Sequence, residues 1–397
     1  MKVRPQIVER FTDIAWLYEK QPPNGGAPGD AYNSALNGTG FDLAQLVARE
    51  AIQNSVDAAN PASGGRVNVE FRIVDLKGAQ RREFETAARL ADMRERFDQL
   101  ALDRSCCIAR HAGALRLLYV EDRNTTGLSG SPARNDSNFR KLLMNIGLSD
   151  KIDDEQESGG SYGLGKSVYS GNSRIRTIFA FSRTTDAFRK PITILMGCAY
   201  QRHHEFDNTS YTGRAWLGRR VEVEGEGYRM DPAVGEEAEV WARALGFGRG
   251  PDDLGTSILI VDSDLETIDI VRGVEDYWWP RIIDDELEVD VIDENGKRLP
   301  PKPIQRAHLK PFIAAWNVAI QRSPPVDGED RRSFQPIDGQ KLGELGIVTL
   351  AIAAYGFLVA ERARFSPSAR AGALRLDVPE LPPGFQPRGA SRARRTA

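Results

Sequence analysis

The chain is poor in the residues that build cross-linked or metal-held proteins. It has three cysteines and four histidines in 397 residues. Two of the cysteines, Cys106 and Cys107, are neighbours, which suits no disulfide framework. His203 and His204 are adjacent, but no cysteine or carboxylate at ligand spacing completes a tetrahedral zinc set around them. No apolar run reaches the length of a membrane span, and the first twenty residues lack the apolar core of a secretory signal. The net charge of −3 excludes a strongly basic nucleic-acid binder, though not a local basic patch. The expectation is a cytoplasmic protein without membrane contact, with reduced thiols.

The positive features are those of an ordinary soluble composition, 41% hydrophobic and 27% charged, in a chain long enough for one large domain and a smaller one. Residues 1–40 read as an N-terminal arm and a loop rich in Pro, Gly, Asn and Ser. Phe41–Asn60 (FDLAQLVAREAIQNSVDAAN) reads as a helix, with Leu43, Leu46, Val47, Ala51, Val56 and Ala58 at helical spacing. Arg66–Val74 alternates as a half-buried strand with Val67, Val69, Phe71 and Ile73 inward. Residues 77–102 are charged and helix-prone, an expected exposed excursion. Strands are predicted at Leu115–Val120, Ile175–Phe181, Ile192–Tyr200 and Ser257–Val261, with helices near Phe139–Ile146 and over Pro232–Leu245. Strands and helices do not alternate regularly, so a doubly wound parallel sheet is excluded. A mixed, largely antiparallel sheet with helices on one face is expected instead. The texture changes at about 266, where a hairpin turning at Glu294–Asn295–Gly296 suggests a small second α/β domain over 266–359. The Arg-, Ala- and Pro-rich residues 360–397 are expected to be disordered, the expectation being either a truncated chain or a natural C-terminal part that lies elsewhere.

Four stretches carry chemistry. On the predicted helix, Glu50, Asn54 and Asp57 stand at i, i+4 and i+7 on one face. Two carboxylates and an amide amid apolar neighbours need partners such as hydrated metal and phosphate; the competing reading is a solvated polar face. Asp122 ends a strand and is followed by Asn124, Gly127 and Gly130, where a carboxylate can accept from a ligand amine. Gly159–Ser170 (GGSYGLGKSVYS) offers backbone N–H groups and Lys166 to phosphate. This stretch also satisfies the P-loop pattern from Gly160 to Lys166 and Ser167, but KIDDEQES before it is no apolar strand, so that reading ranks below the others. Leu254–Asp262 places Gly255 and Thr256 at the start of an apolar strand.

Taken in order, these stretches resemble the GHKL ATPases: gyrase, the heat-shock chaperone, histidine kinases and MutL. The first box, E-x-x-x-N-x-x-D-A, matches at Glu50, Asn54, Asp57 and Ala58. The second, D-x-G-x-G, matches at Asp122, with Asn124 in place of the first glycine and Gly127 one place late. The third, G-x-x-G-x-G, matches at Gly160, Gly163 and Gly165, enclosing Leu164, and the Gly-Thr box matches at Gly255 and Thr256. The resemblance is closest to the chaperone, MutL and MORC side and spans about residues 35–262. No phosphoacceptor-histidine helix accompanies it.

The resemblance implies an α+β sandwich of Bergerat type over 41–265. It implies that ATP and Mg²⁺ are bound and ATP is slowly hydrolysed. Glu50 is implied as general base, Asn54 as the Mg²⁺ ligand and Asp122 as the adenine reader supported by Thr256. Gly160, Gly163, Leu164, Gly165 and Lys166 are implied in a lid over the phosphates that spans about Asn124–Gly165. Gly127 shapes the adenine-side turn, and Asp57 either contacts the nucleotide through water or braces that turn. A nucleic-acid client, as in genome or phage defence, a protein client, and an ATP-dependent homodimer are the implied partners. Lys302 and Lys310 are candidates for a lysine on the γ-phosphate. The rival expectation is a nucleotide-gated protein-binding or chaperone-like module with little turnover.

Overall fold

The computed structural model describes residues 13–31, 42–61, 66–110, 112–130, 137–144, 164–186, 190–223, 225 and 227–319. Contacts divide the chain into Met1–Trp316 and Asn317–Ala397, and all but the last three described residues belong to the first unit. The sequence boundary at 265/266 is therefore not where the contacts divide the chain.

The unit is α+β, built on one large mixed sheet. Its elements run β1 (Ile14–Lys20), α1 (Leu43–Asp57), β2 (Val67–Leu76), α2 (Gly78–Ala87), α3 (Leu90–Glu95), β3 (Leu115–Arg123), α4 (Asn138–Leu143) and α5 (Leu164–Gly171). They continue with β4 (Thr177–Thr185), β5 (Pro191–Tyr200), β6 (His204–Phe206), β7 (Thr209–Val223), β8 (Gly227–Asp231), β9 (Ala233–Val234) and α6 (Gly235–Ala244). The last are β10 (Gly255–Val261), α7 (Thr267–Ile283), β11 (Leu287–Ile292) and α8 (Lys310–Ala319). The main path of the sheet is β1-β7-β5-β4-β10-β3-β2-β11. Each neighbouring pair on this path is antiparallel except β11, which lies parallel to β2.

Helices pack on both faces, not on one as the sequence suggested. One core holds Val47, Ala51 and Ile52 of α1, Val168 and Tyr169 of α5, and Ile270 and Val274 of α7, against Val69, Phe71, Leu118, Val120 and Ile258 of the sheet. The other holds Phe84, Leu90 and Met93 of α2 and α3 and Trp241 of α6, against Leu117, Tyr119, Phe179 and Leu259. The physical reason is in the central strands. β3, β4 and β10 carry consecutive apolar residues, so both of their faces must be covered, whereas β2 alternates and keeps Asn68, Glu70 and Arg72 off the core. The charged excursion at 77–102 accordingly does more than solvate: Phe84 and Ala88, at i and i+4, are buried.

Two further differences have simple causes. Residues 14–20 fall in the expected N-terminal arm, yet Ile14, Trp16 and Tyr18 alternate inward and the strand pairs with β7. The Asn-Gly turn forms, with Gly296 N–H donating to Asp293 O at 2.9 Å. Its second limb is a single bridge between Ile292 and Arg298, because Pro300 and Pro301 cannot donate to a ladder. Among the described residues no helix is long and apolar enough to cross a membrane.

α1 is placed by α7. Trp278 Nε1 donates to Ala48 O at 3.2 Å, and a Cβ on Gly273 would lie 3.0 Å from both Ala48 Cβ and Gln45 Cα. That is tighter than nearly all real Cβ contacts, so a bulky side chain as in Gly273→Val forces the helices apart. Overpacking of this kind costs about 1–3 kcal/mol. A chemical melt of Gly273→Val should show that loss, and a variant as stable as the parent would contradict the packing.

Candidate functional site

α1 begins at Asp42, whose Oδ1 accepts from Ala44 N–H at 2.8 Å, an N-cap that fixes the helix start. Its far end is tied to the turn after β3. Ala58 O accepts from Thr126 N–H at 2.8 Å, and Asn60 N–H donates to Asn124 O at 2.9 Å. Asn124 adopts φ +61° and donates its Nδ2 to Arg66 O at 2.8 Å. Asparagine is among the few non-glycine residues that accept this left-handed conformation, so the position can turn without a glycine.

These ties bring the polar residues of α1 to the ends of β3 and β10. Asp122 is 8% exposed. Its Oδ1 accepts from Thr256 N–H at 2.6 Å and from Thr125 Oγ1 at 2.7 Å, and its Oδ2 accepts from Ser55 Oγ at 3.2 Å. Burial pushes the Asp122 carboxyl above its usual value, against the lowering influence of the Arg249 charge and of these three donors. Gly255, at φ +145°, must be glycine: an added Cβ would lie 2.5 Å from both Asp122 O and Asp122 Oδ1.

Next to Ser55 on α1, Asn54 Nδ2 donates to Tyr169 Oη at 3.3 Å. Burial raises the Tyr169 hydroxyl; the Asn54 hydrogen bond opposes that rise, and the charges of Asp122 and Glu50 add to it. Glu50 is buried, and its Oε1 accepts from Arg49 Nε at 2.9 Å and from Arg49 Nη2 at 2.6 Å.

The remaining expected residues fall as follows. Asp57, the last residue of α1, is exposed and its Oδ1 accepts from Gln53 Nε2 at 2.7 Å. Gly127 stands in the turn after β3, where its neighbour Leu128 N–H donates to Ser182 Oγ at 2.8 Å. Gly160 and Gly163 lie outside the described residues. Leu164, Gly165 and Lys166 open α5, and the side chains of Leu164 and Lys166 also lie outside the description. Of the expected lid, residues 131–136 and 145–163 are likewise outside it.

Ser55, Thr125 and Tyr169 were not singled out from sequence. Ser55 and Thr125 had one readable signal each: Ser55 lies four residues after the core residue Ala51, and Thr125 lies three residues after Asp122. Tyr169 sits inside the Gly-rich stretch but only its tertiary contact with Asn54 marks it. Among the described residues no group of three His, Cys, Asp or Glu side chains could hold a metal. Asn54 carries an oxygen of the kind Mg²⁺ accepts, since that cation takes one or two protein oxygens beside water and substrate phosphate, and its Nδ2 donates to Tyr169 Oη. No family model matches the chain, and no curated protein matches it.

The raised Asp122 carboxyl has a consequence for stability. A group whose pKa is higher folded than unfolded favours folding in its protonated form, so ionising it as pH rises takes stability away. Asn in place of Asp keeps Oδ1 as the acceptor for Thr256 and Thr125 and carries no charge. Asp122→Asn should therefore melt at or above the parent temperature at pH 7.5, with the gap narrowing as pH falls and the parent carboxyl protonates. A variant melting well below the parent at pH 7.5 would contradict the assigned environment.

Proposed function

We propose that this chain binds ATP with Mg²⁺ in a GHKL-type site and hydrolyses it slowly. The observation that supports the reading best is the buried Asp122 carboxylate, held by Ser55, Thr125 and the Thr256 amide beside the Glu50–Asn54 face of α1. A buried acceptor with fixed orientation is what reading an exocyclic amine requires, since a site built to hydrogen-bond a group rejects analogues that lack it. In this reading Asp122 accepts from the adenine amine. Thr256 and Ser55 fix the carboxylate in place.

At the other end of the site, Glu50 orients and deprotonates the attacking water, and Asn54 holds the cation through its amide oxygen. Mg²⁺, when bound, neutralises charge on the phosphates. Tyr169 fixes the Asn54 amide. The first turn of α5, with Lys166, meets the phosphates as a helix N-terminus suited to anions. In the proposal the Gly-rich stretch closes as a lid, and a nucleic-acid client ranks before a protein client. A homodimer that closes on ATP is the proposed means of coupling. Fold likeness does not fix a client, so the client rests on the resemblance alone.

A second reading, a nucleotide-gated module with little turnover, has one observation in its favour. Arg49 donates twice to the same oxygen of Glu50, so that oxygen is already engaged and must be released before it can receive a proton from water. Measuring ATP binding and steady-state hydrolysis on one preparation separates the readings, because binding without turnover supports the module.

Glu50→Ala should leave ATP affinity nearly unchanged while turnover falls about a hundredfold or more, the usual contribution of a general base. A variant that hydrolyses at the parent rate removes Glu50 from the mechanism. Asn54→Ala should abolish the Mg²⁺ dependence of ATP binding, whereas Ser167→Ala should leave it intact. The opposite pattern would favour a P-loop.

A further inference from the structure

Arg249 lies outside all four stretches that carry the family resemblance, in the connection between α6 and β10. Its guanidinium meets the point where β3 and β10 end their pairing. The register of the two strands runs from Val261–Leu117 to Ser257–Glu121. The next residues, Thr256 and Asp122, both turn a carbonyl towards Arg249. Nη2 donates to Asp122 O at 2.6 Å and to Thr256 O at 2.7 Å. The same nitrogen reaches Ser257 Oγ at 3.0 Å, Nε reaches that hydroxyl at 3.2 Å, and Nη1 donates to Asp253 O at 3.2 Å. One planar fork thus satisfies four oxygens on three segments.

We propose that Arg249 is a positioning residue for nucleotide selection: it pins the splayed ends of β3 and β10 so that the Asp122 carboxylate and the Thr256 amide form one rigid reader of the base. The proposal rests on the nucleotide reading above. Two carbonyls sharing one donor would otherwise face each other without a hydrogen, and backbone groups left so are costly. The strand ends would separate, and the Thr256-to-Asp122 hydrogen bond would separate with them. Gly255 fits the same account. Its missing side chain would lie 2.7 Å from Arg249 Nη1 and 2.5 Å from Asp122 O, so the glycine leaves room for the clamp. Arginine suits the task because its donors form a fixed fork, whereas lysine is a point charge on a flexible stem. Glu50 and Asn54 are oriented by Arg49 and Tyr169. Arg249 therefore acts on base recognition more than on the phosphate chemistry.

The test uses the full chain and compares the parent with Arg249→Met. ATP and GTP affinities are measured by calorimetry, turnover is measured at saturating ATP, and a thermal melt checks folding. Arg249→Met should weaken ATP binding about tenfold, the scale of one buried polar contact, and should narrow the ATP-to-GTP preference. Saturating turnover should change far less than affinity, a split that general loosening of the fold would not give. If Arg249→Met does not melt cooperatively, Ser257→Ala loosens the same guanidinium with less risk and should shift the preference in the same direction. A folded Arg249→Met, or Ser257→Ala in its place, with the parent's affinity and preference overturns the positioning role alone. A parent that binds neither nucleotide overturns the nucleotide reading and this inference together.

Discussion

A carboxylate in a protein interior holds or breaks its surroundings. Removing an ion from water costs several kcal/mol even after relaxation, and Asp122 is nearly fully buried. Hydrogen bonds to a charged group return about 1.5–3 kcal/mol each, so the donors from Ser55, Thr125 and Thr256 offset part of that cost, while burial still holds the carboxyl above its usual value. Because those donors come from α1, the β3 turn and β10, the charge is tolerated only while all three elements are in place. Much of the fold follows from keeping them there: the cap at Asp42, the ties of Ala58 and Asn60 to the β3 turn, and the close crossing of α1 on α7 at Gly273.

The apolar framework supplies the force that makes this arrangement affordable. Residues such as Ile52, Phe71 and Leu118 are fully buried, and each such side chain contributes roughly 1.5–3 kcal/mol. The covered second face matters for the same reason. α2, α3 and α6 allow the central strands to be apolar on both sides, so the ends of β3 and β10 are anchored in a two-sided core. A site whose supports are packed on rigid elements keeps its geometry better than one carried on loops.

Much of this was legible in the sequence because it follows from period. The 3.6-residue pattern of α1, the alternation of β2 and the apolar runs of β3, β4, β5 and β10 are local signals, and each element appears near its expected place. The readings that fell short depended on neighbours. Val67–Ile73 announces its buried face, but nothing local says that Leu117 and Leu118 each meet a different core. The alternation of Ile14, Trp16 and Tyr18 was present yet outweighed by charged flanks. β11 reads as the start of a new domain until its parallel partner β2, some 220 residues earlier in register, is known. At and around Asp122, the residues Glu50, Asn54, Asp122 and Thr256 were named through the family resemblance. Tyr169 and Arg249 were not, because their roles consist of tertiary hydrogen bonds.

The account stands on a single claim, that Asp122 is the acceptor for a nucleotide base and the α1 face serves its phosphates. The most direct measurement is a crystal structure of the chain grown with a non-hydrolysable ATP analogue and Mg²⁺. The account expects the adenine amine within hydrogen-bond distance of the Asp122 carboxylate, and the cation on the amide oxygen of Asn54. An analogue seated elsewhere, or absent at saturating concentration while Asp122 keeps its three donors, would contradict it.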